Sequence, residues 1–400
     1  MFGKNNYFNG NFTNSSKYKI NIRKTKKIFD LFLKDWENGQ IPLLESYEKN
    51  YEYYFSKLTV SKFSKYKNIV IIGMGGSILG TKSIYSFFKN KIKKKLFFYD
   101  NLDLNFNYNK IKKLNNSCFI IISKSGKTIE TITNLGAIFS KKIFKNKLII
   151  IAEPKDNALM AIADKYQAEI IEHKEYISGR YSVLSEAGMF PAALMGLRLD
   201  KFKNLKKLLK NKKFVSALIQ NVASIYTLSS RKMNNSIILN YDSNLNDIGY
   251  WYQQLVAESL GKKGQGINPF LSFGPKDHHS LLQLYLDGPK DKFFTFFNSK
   301  QKKNKFKLSK EIISNDIKFL KNKNIKFIID AQNKAVKNIF KLKKIPFRQI
   351  MFNKKNEEEL GEIFTFFVLE TILLSRLMKI NPFDQPSVEE VKFETKKILI

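Results

Sequence analysis

The sequence predicts an α/β protein of two domains built on mostly parallel sheets, and three observations carry that expectation. Four hundred residues exceed what one ordinary hydrophobic core encloses. Several short runs of β-branched and aromatic residues are continuously apolar rather than alternating, as parallel strands covered on both faces require. Segments of helix length separate these runs, so strand and helix alternate along the chain.

In the first half the strand candidates are 68–73 (Asn-Ile-Val-Ile-Ile-Gly), 96–99, 118–122 and 148–152, with helices expected over 80–93 and 128–142. In the second half they are 236–241, 293–297, 325–329 (Ile-Lys-Phe-Ile-Ile) and 347–351, separated by helical patterns at 249–260, 309–321, 331–342 and 356–379. The lysine-rich stretch 201–213 is expected to join the halves as a surface helix. The resulting division is an N-terminal helical arm at 1–40, a first α/β domain at 41–200, and a second at 201–400 that includes C-terminal helices. Right-handed crossovers place ligands at the carboxyl ends of such strands.

Composition narrows the function classes. An apolar content of 43% with 14% aromatics excludes global disorder. The formal charge of +35 invites a nucleic-acid partner, since clustered cations release phosphate counterions. The lysines are scattered, however, and stand beside Asn, Ile and Phe, as in 89–95 and 301–310. That is a compositional bias on solvated faces, so no specific nucleic acid is expected. Cys118 is the one cysteine, inside an apolar run, and is read as a core residue. The N-terminus has no uninterrupted apolar stretch of a signal peptide. The longest apolar segment, 363–378, is broken by Glu370 and Arg376 and is too short to span a bilayer, so it is expected as a buried helix. A soluble, cytoplasmic protein follows as the expectation.

In a chain this basic, stretches without charge are informative. Residues 71–81 carry none, and Gly73, Gly75, Gly76 and Gly80 follow a strand and lead into a helix. Such a turn either brings backbone N–H groups close to a ligand or is purely structural. Ser123-Lys124-Ser125-Gly126-Lys127-Thr128 repeats the arrangement after the next strand, offering either a hydroxyl-rich phosphate cradle or an ordinary helix cap. Arg180, alone in the apolar loop 177–190, either meets a developing anion or pairs with Glu186. Gln254 and Glu258 are four apart on one helical face. Partial burial would suit Glu258 to act as a general base, against the alternative of a surface glutamate. His278 and His279 serve either proton transfer or a capped, solvent-facing pair. With no Cys cluster and no ligand spacing between histidines, no metal site is expected.

Six blocks in order resemble one family. They are Gly73-Met74-Gly75-Gly76-Ser77-Ile78-Leu79-Gly80, Ser123 to Thr128, Ser178-Gly179-Arg180-Tyr181-Ser182-Val183-Leu184-Ser185, Trp251-Tyr252-Gln253-Gln254 with Glu258-Ser259, His279-Ser280-Leu281-Leu282-Gln283, and Asn381-Pro382-Phe383-Asp384-Gln385-Pro386-Ser387-Val388-Glu389 with Lys392. The chain resembles the glucose-6-phosphate isomerases. The resemblance implies two sugar-isomerase (SIS-type) three-layer αβα sandwich domains and an aldose–ketose isomerase that passes through a cis-enediolate. It implies that Gly76 and Ser77 line the sugar site and that Ser123, Lys124, Ser125 and Thr128 hold the phosphate. Glu258 is then the base, Arg180 stabilises the enediolate and Gln254 contacts the sugar. His279, helped by Lys392, opens the ring, and Gln385 lies near the phosphate end. No cofactor is implied. A homodimer is, with His279 reaching the partner's site. Isomerisation of another sugar phosphate such as mannose-6-phosphate, or non-catalytic binding of one, is the alternative. Two positions depart from the family wording. Lys127 stands where threonine is usual, and Ser178 replaces the first of a glycine pair.

Overall fold

The computed structural model describes residues 6–112, 114–138, 147–300 and 308–400. The end of the helix expected at 128–142 and most of the lysine run 301–310 lie outside the described residues. The chain forms two compact units, each assembled from separated stretches. The larger contains Ile28–Asn211, Asn244–Gln265 and Lys355–Ile400; the smaller contains Met1–Lys27, Lys212–Ser243 and Gly266–Lys354. A contiguous division at residue 200 therefore groups the chain differently. Two later stretches return to the larger unit, and their helices Asn246–Leu260 and Glu357–Met378 bury their apolar residues there.

In the larger unit five strands are described: β1 (Asn68–Gly73), β2 (Lys95–Tyr99), β3 (Ser117–Ile122), β4 (Leu148–Ala152) and β5 (Glu169–Glu172). All pair in parallel in the order β2-β1-β3-β4-β5. Successive residues of β1, β3 and β4 point to opposite faces, and Ile69 to Ile72, Cys118 to Ile122 and Ile149 to Ile151 are all at 0% exposure. Both faces are covered, which is why these strands read as unbroken apolar runs. Burial pushes the Cys118 thiol up to about 12, consistent with a core residue and not a nucleophile. β5 escaped the sequence pattern because Glu-Ile-Ile-Glu is a short edge strand with charge at both ends.

The smaller unit holds β6 (Asn235–Asn240), β7 (Asn268–Phe273), β8 (Lys292–Ser299) and β9 (Phe347–Phe352), parallel in the order β7-β6-β8-β9. Ile237, Leu239, Phe294, Phe296 and Phe347 form its core with Val336 and Phe340. Pro269 sits in β7, an edge strand, where a missing N–H removes no essential ladder bond. That proline hid the strand from the sequence pattern.

Three local expectations fail. Residues 325–329 are not a strand but the opening of helix Ile325–Leu342, whose first turn is capped by the Asn324 side chain accepting from Phe327 N–H. A short apolar run cannot by itself distinguish the two. The helix expected at 309–321 is reduced to two 3-10 turns, Lys310–Ile312 and Asn315–Leu320. Nor is 201–213 one surface helix. Its described helices are Leu199–Phe202, Leu205–Leu209 and the start of Lys212–Ser229, with Phe202, Leu205 and Leu208 buried. Lys203 is 2% exposed, its Nζ over the rings of Tyr51 and Tyr53 at 4.0 and 3.8 Å from the centroids, and burial lowers its pKa to about 6.

Five helices of the larger unit position the site: α1 (Gly76–Phe88), α2 (Ile129–Ile138), α3 (Asn246–Leu260), α4 (Glu357–Met378) and α5 (Pro386–Leu399). α4 contains the apolar segment 363–378 and is buried along most of its length, as expected. Asn356 caps it, and Glu357, Glu358 and Glu359 complement the positive end of its dipole. α3 is held from two sides. Trp251 meets Phe364 at 4.7 Å and Tyr252 meets Phe367 at 4.6 Å between ring centroids. On the other side Ser83 of α1 donates to the Asp247 carbonyl at 2.8 Å, and Ser86 donates to the Asp247 carboxylate. Among the described residues no helix is long and apolar enough to cross a membrane.

His173, just past β5, is 1% exposed, and its Nε2 is buried with no hydrogen-bond partner among the described residues. Burial lowers its pKa from 6.5 to about 4. Between these values the unfolded chain binds the extra proton, so stability falls as pH drops through this window and levels off below it. Urea unfolding of wild type and His173→Asn should therefore diverge. The wild type is expected to lose about 3 kcal/mol more than the variant between pH 7 and pH 4.

Candidate active site

The order β2-β1-β3-β4-β5 reverses between β1 and β3, because the chain leaves β1 toward one edge and β3 toward the other. Loops after these two strands diverge, and the crevice between them is where open α/β sheets take ligands. Gly73 pairs with Ile122 at this edge, so residues 74–76 and 123–128 flank one crevice.

Gly75 caps α1 with φ of 50°, in the left-handed region, and a Cβ there would stand 2.7 Å from Gln254 Nε2. At Gly76 the constraint is closer still, since a Cβ would lie 2.1 Å from the carbonyl carbon of Gly179. The glycine loop is thus shaped by two protein neighbours, the 178–180 turn and α3. Half-buried Ser77 follows in the first turn of α1.

On the other side of the crevice, the buried Ser123 hydroxyl and Thr128 Oγ1 are 2.8 Å apart, and Ser125 Oγ accepts from Lys127 N–H at 3.3 Å. α2 begins immediately after, so its unpaired N–H groups add to these hydroxyls. Lys124 does not join them through its ammonium, which donates to the Glu175 carbonyl at 2.6 Å and lies 3.5 Å from Glu153. Its charge is matched by protein, whereas the Lys127 side chain is exposed.

Arg180 sits in the 3-10 turn Gly179–Leu184, 1% exposed. Its Nε donates to Ser259 Oγ at 3.1 Å. Nη1 donates to Glu258 Oε2 at 3.1 Å and to Gln385 Oε1 at 2.9 Å. Nη2 donates to the carbonyls of Pro382 at 2.7 Å and Asp384 at 2.9 Å. A guanidinium has five N–H donors, and every one is placed. The sequence left Glu186 open as its partner. That carboxylate instead accepts from the Tyr51 hydroxyl at 2.9 and 3.0 Å.

Glu258 is held from both oxygens, Oε2 by Arg180 and Oε1 by Gln254 Nε2 at 3.0 Å, the contact expected of residues four apart on one helical face. Its side chain is 28% exposed against 1% for Arg180, so the carboxylate stands between buried cation and open space. Gln254 Oε1 is buried with no hydrogen-bond partner among the described residues.

The described contacts therefore bring together Gly76, Arg180, Gln254, Glu258 and Gln385, with the Ser123–Thr128 loop across the same sheet edge. They do not bring in Lys392, which lies on the exposed helix α5 and pairs with Glu389 at 2.6 Å. His279 belongs to the smaller unit and is exposed, next to His278, whose Nε2 is 2.6 Å from the Tyr241 hydroxyl. Two supporting groups, Ser259 and Tyr181, stood in the quoted blocks without a role, and their hydroxyls are 2.9 Å apart. Both stand next to residues singled out, but nothing in the residue types marked them. Among the described residues no three His, Cys, Asp or Glu side chains gather as a metal site needs.

Residues 57–399 match the sequence profile of phosphoglucose isomerases. The chain belongs to the phosphoglucose isomerase family. A glucose-6-phosphate isomerase from Methanocaldococcus jannaschii is 36% identical over 86% of this chain and 86% of its own. Another from Mycoplasmopsis synoviae is 30% identical over 93% of this chain and 91% of its own. Among solved structures, a glucose-6-phosphate isomerase from Chlamydia trachomatis shares the fold with a TM-score of 0.69 at 17% identity, over 84% of this chain and 70% of that one. A hypothetical protein from Thermus thermophilus shares it with a TM-score of 0.75 at 22% identity, over 96% and 94%.

The close approach at Gly76 makes this phosphoglucose isomerase family member intolerant of a single methyl group there. Gly76→Ala forces the glycine loop or the Arg180 turn to move, and shifts of this size cost about a hundredfold in rate. A kcat/KM within a factor of about three of wild type, measured on the folded variant, would contradict the geometry.

Proposed function

We infer that this chain catalyses the reversible isomerisation of glucose-6-phosphate and fructose-6-phosphate, with Glu258 as the base. One observation carries the assignment of roles. A half-exposed carboxylate is oriented by a buried guanidinium, beside a hydroxyl-rich loop at a sheet's switch point. Removing the proton from C2 beside a carbonyl leaves an oxyanion, so the chemistry needs a carboxylate base and a cation aimed at the new charge. Glu258 takes the C2 proton and returns it to C1. Arg180 faces the enediolate. Ser123, Ser125, Thr128 and the start of α2 take the phosphate, while Gly76, Ser77 and Gln254 border the sugar.

The committed donors of Arg180 set a condition on this mechanism. A guanidinium with no free N–H reaches an enediolate oxygen only by releasing an acceptor it already holds. The Pro382 and Asp384 carbonyls are backbone, whereas Gln385 Oε1 is on a side chain that rotates. Gln385 is the acceptor that yields, and its amide is then free to turn toward the phosphate end. Ring opening falls to His279, supplied across a homodimer and helped by Lys392 once it leaves Glu389. The same reading places the enzyme in the cytoplasm, among other sugar-phosphate reactions. Lys127 adds a cation at the phosphate end, and Lys127→Thr is expected to weaken substrate affinity with little change in kcat.

Conversion of fructose-6-phosphate by purified wild type and Glu258→Gln tests the central assignment. The wild type turns over, and the variant is slower by about a hundred- to ten-thousand-fold, the range for a lost general base. Full activity in the variant removes Glu258 from the mechanism. Sedimentation of the same samples checks assembly, where a fully active monomer would contradict the shared site.

A further inference from the structure

Lys262 lies one helical turn beyond Glu258, just past the end of α3. Its backbone is pinned. Lys262 N–H donates to the Gln265 carbonyl at 3.0 Å and Gln265 N–H returns to Lys262 at 2.9 Å. Between them Lys263 and Gly264 have φ of 53° and 69°, the two positive values of a type I′ turn. The side chain is only 12% exposed. Its ammonium has three N–H groups and three acceptors, the Asn381 carbonyl at 2.6 Å, the Asp384 carbonyl at 2.6 Å and Asp384 Oδ1 at 2.7 Å.

Those acceptors belong to the segment that holds Arg180. The Asp384 carbonyl takes Lys262 on one lone pair and Arg180 Nη2 on the other. Pro382 and Gln385, within the same five residues, take two more Arg180 donors. Inside the segment, Asn381 Nδ2 donates to Asp384 Oδ2 and Phe383 N–H to Asn381 Oδ1, each at 3.0 Å, so it moves as a block. The hydrogen bond from Lys262 also holds the Asp384 carboxyl below the usual carboxylate range.

We propose that Lys262 is a positioning residue of the isomerisation, fixing the 381–385 segment and through it the place of the Arg180 guanidinium against Glu258. The segment has its own reason to need a tie, since Phe383 and Asp384 are exposed and α5 has no buried residue. An exposed Lys–Asp pair alone is worth little. Two bonds to backbone carbonyls from a side chain only 12% exposed distinguish this contact from such a pair. The proposal rests on Glu258 and Arg180 acting as assigned above.

The test compares wild type, Lys262→Met, Lys262→Gln, Lys262→Arg, Glu258→Gln and the neighbouring control Lys263→Met in fructose-6-phosphate turnover, with thermal unfolding of each. Lys262→Met and Lys262→Gln are expected to lose about 10- to 100-fold in kcat, as for a misplaced catalytic group, with KM within about threefold. Lys262→Arg recovers part of the loss, and Lys263→Met behaves as wild type. A purely structural lysine gives a different pattern, in which the melting temperature and active fraction fall while kcat per folded site is unchanged. That pattern, or a crystal structure of Lys262→Met with residues 381–385 and Arg180 unmoved, overturns the proposal. An active wild type, an inactive Glu258→Gln and an unaffected Lys262→Met sink this inference alone. An inactive wild type sinks the functional reading as well.

Discussion

A guanidinium taken out of water must find acceptors for every N–H it carries, or the desolvation cost of the charge goes unmet. Arg180 meets that demand in full with Ser259, Glu258, Gln385, Pro382 and Asp384. The nearest of them in sequence, Glu258, is 78 residues away. The constraint therefore reaches well beyond the site, because three stretches of chain have to converge on one side chain. The composition of the larger unit reflects this. The stretch with Glu258 and the stretch with Gln385 both return to the unit whose first stretch contains Arg180.

The same convergence separates rigid parts from movable ones. α3 is clamped by aromatic contacts to α4 and by the hydroxyls of Ser83 and Ser86, so Glu258 and Ser259 are presented on a fixed rod. The glycine loop is set against the Arg180 turn at a distance that leaves no room for a side chain. Against this frame, Gln385 and the exposed α5 have few buried contacts and are the parts able to respond to a ligand. Glu258 and Arg180 thus stand on a fixed frame, while Gln385 meets Arg180 through a side-chain oxygen.

Charge is used locally in a way the total does not suggest. Among so many lysines, Lys124 stands in the phosphate-type loop, yet its ammonium is matched by Glu153 and the Glu175 carbonyl. The loop's own hydroxyls and the helix start remain beside it as directed O–H and N–H donors. Lys203 shows the opposite use, an amine packed over Tyr51 and Tyr53 whose burial lowers its pKa to about 6.

The sequence by itself determined the α/β class and all but two of the described strands. It did so because buried parallel strands are continuously apolar, and because uncharged loops stand out in a lysine-rich chain. β5 and β7 were hidden by edge-strand charge and by Pro269, and the short run Ile-Lys-Phe-Ile-Ile at 325–329 suits either a strand or a helix start. The residues Gly76, Arg180, Gln254, Glu258 and Gln385 were all legible through their wording, but their distances were not. Only the tertiary structure decided that Arg180 faces Glu258 and not Glu186, that Lys124 turns to Glu153, and that each compact unit is assembled from separated stretches. Each of these depends on contacts across long sequence separations, where hydrogen-bond partners are chosen by packing and no local pattern records the choice.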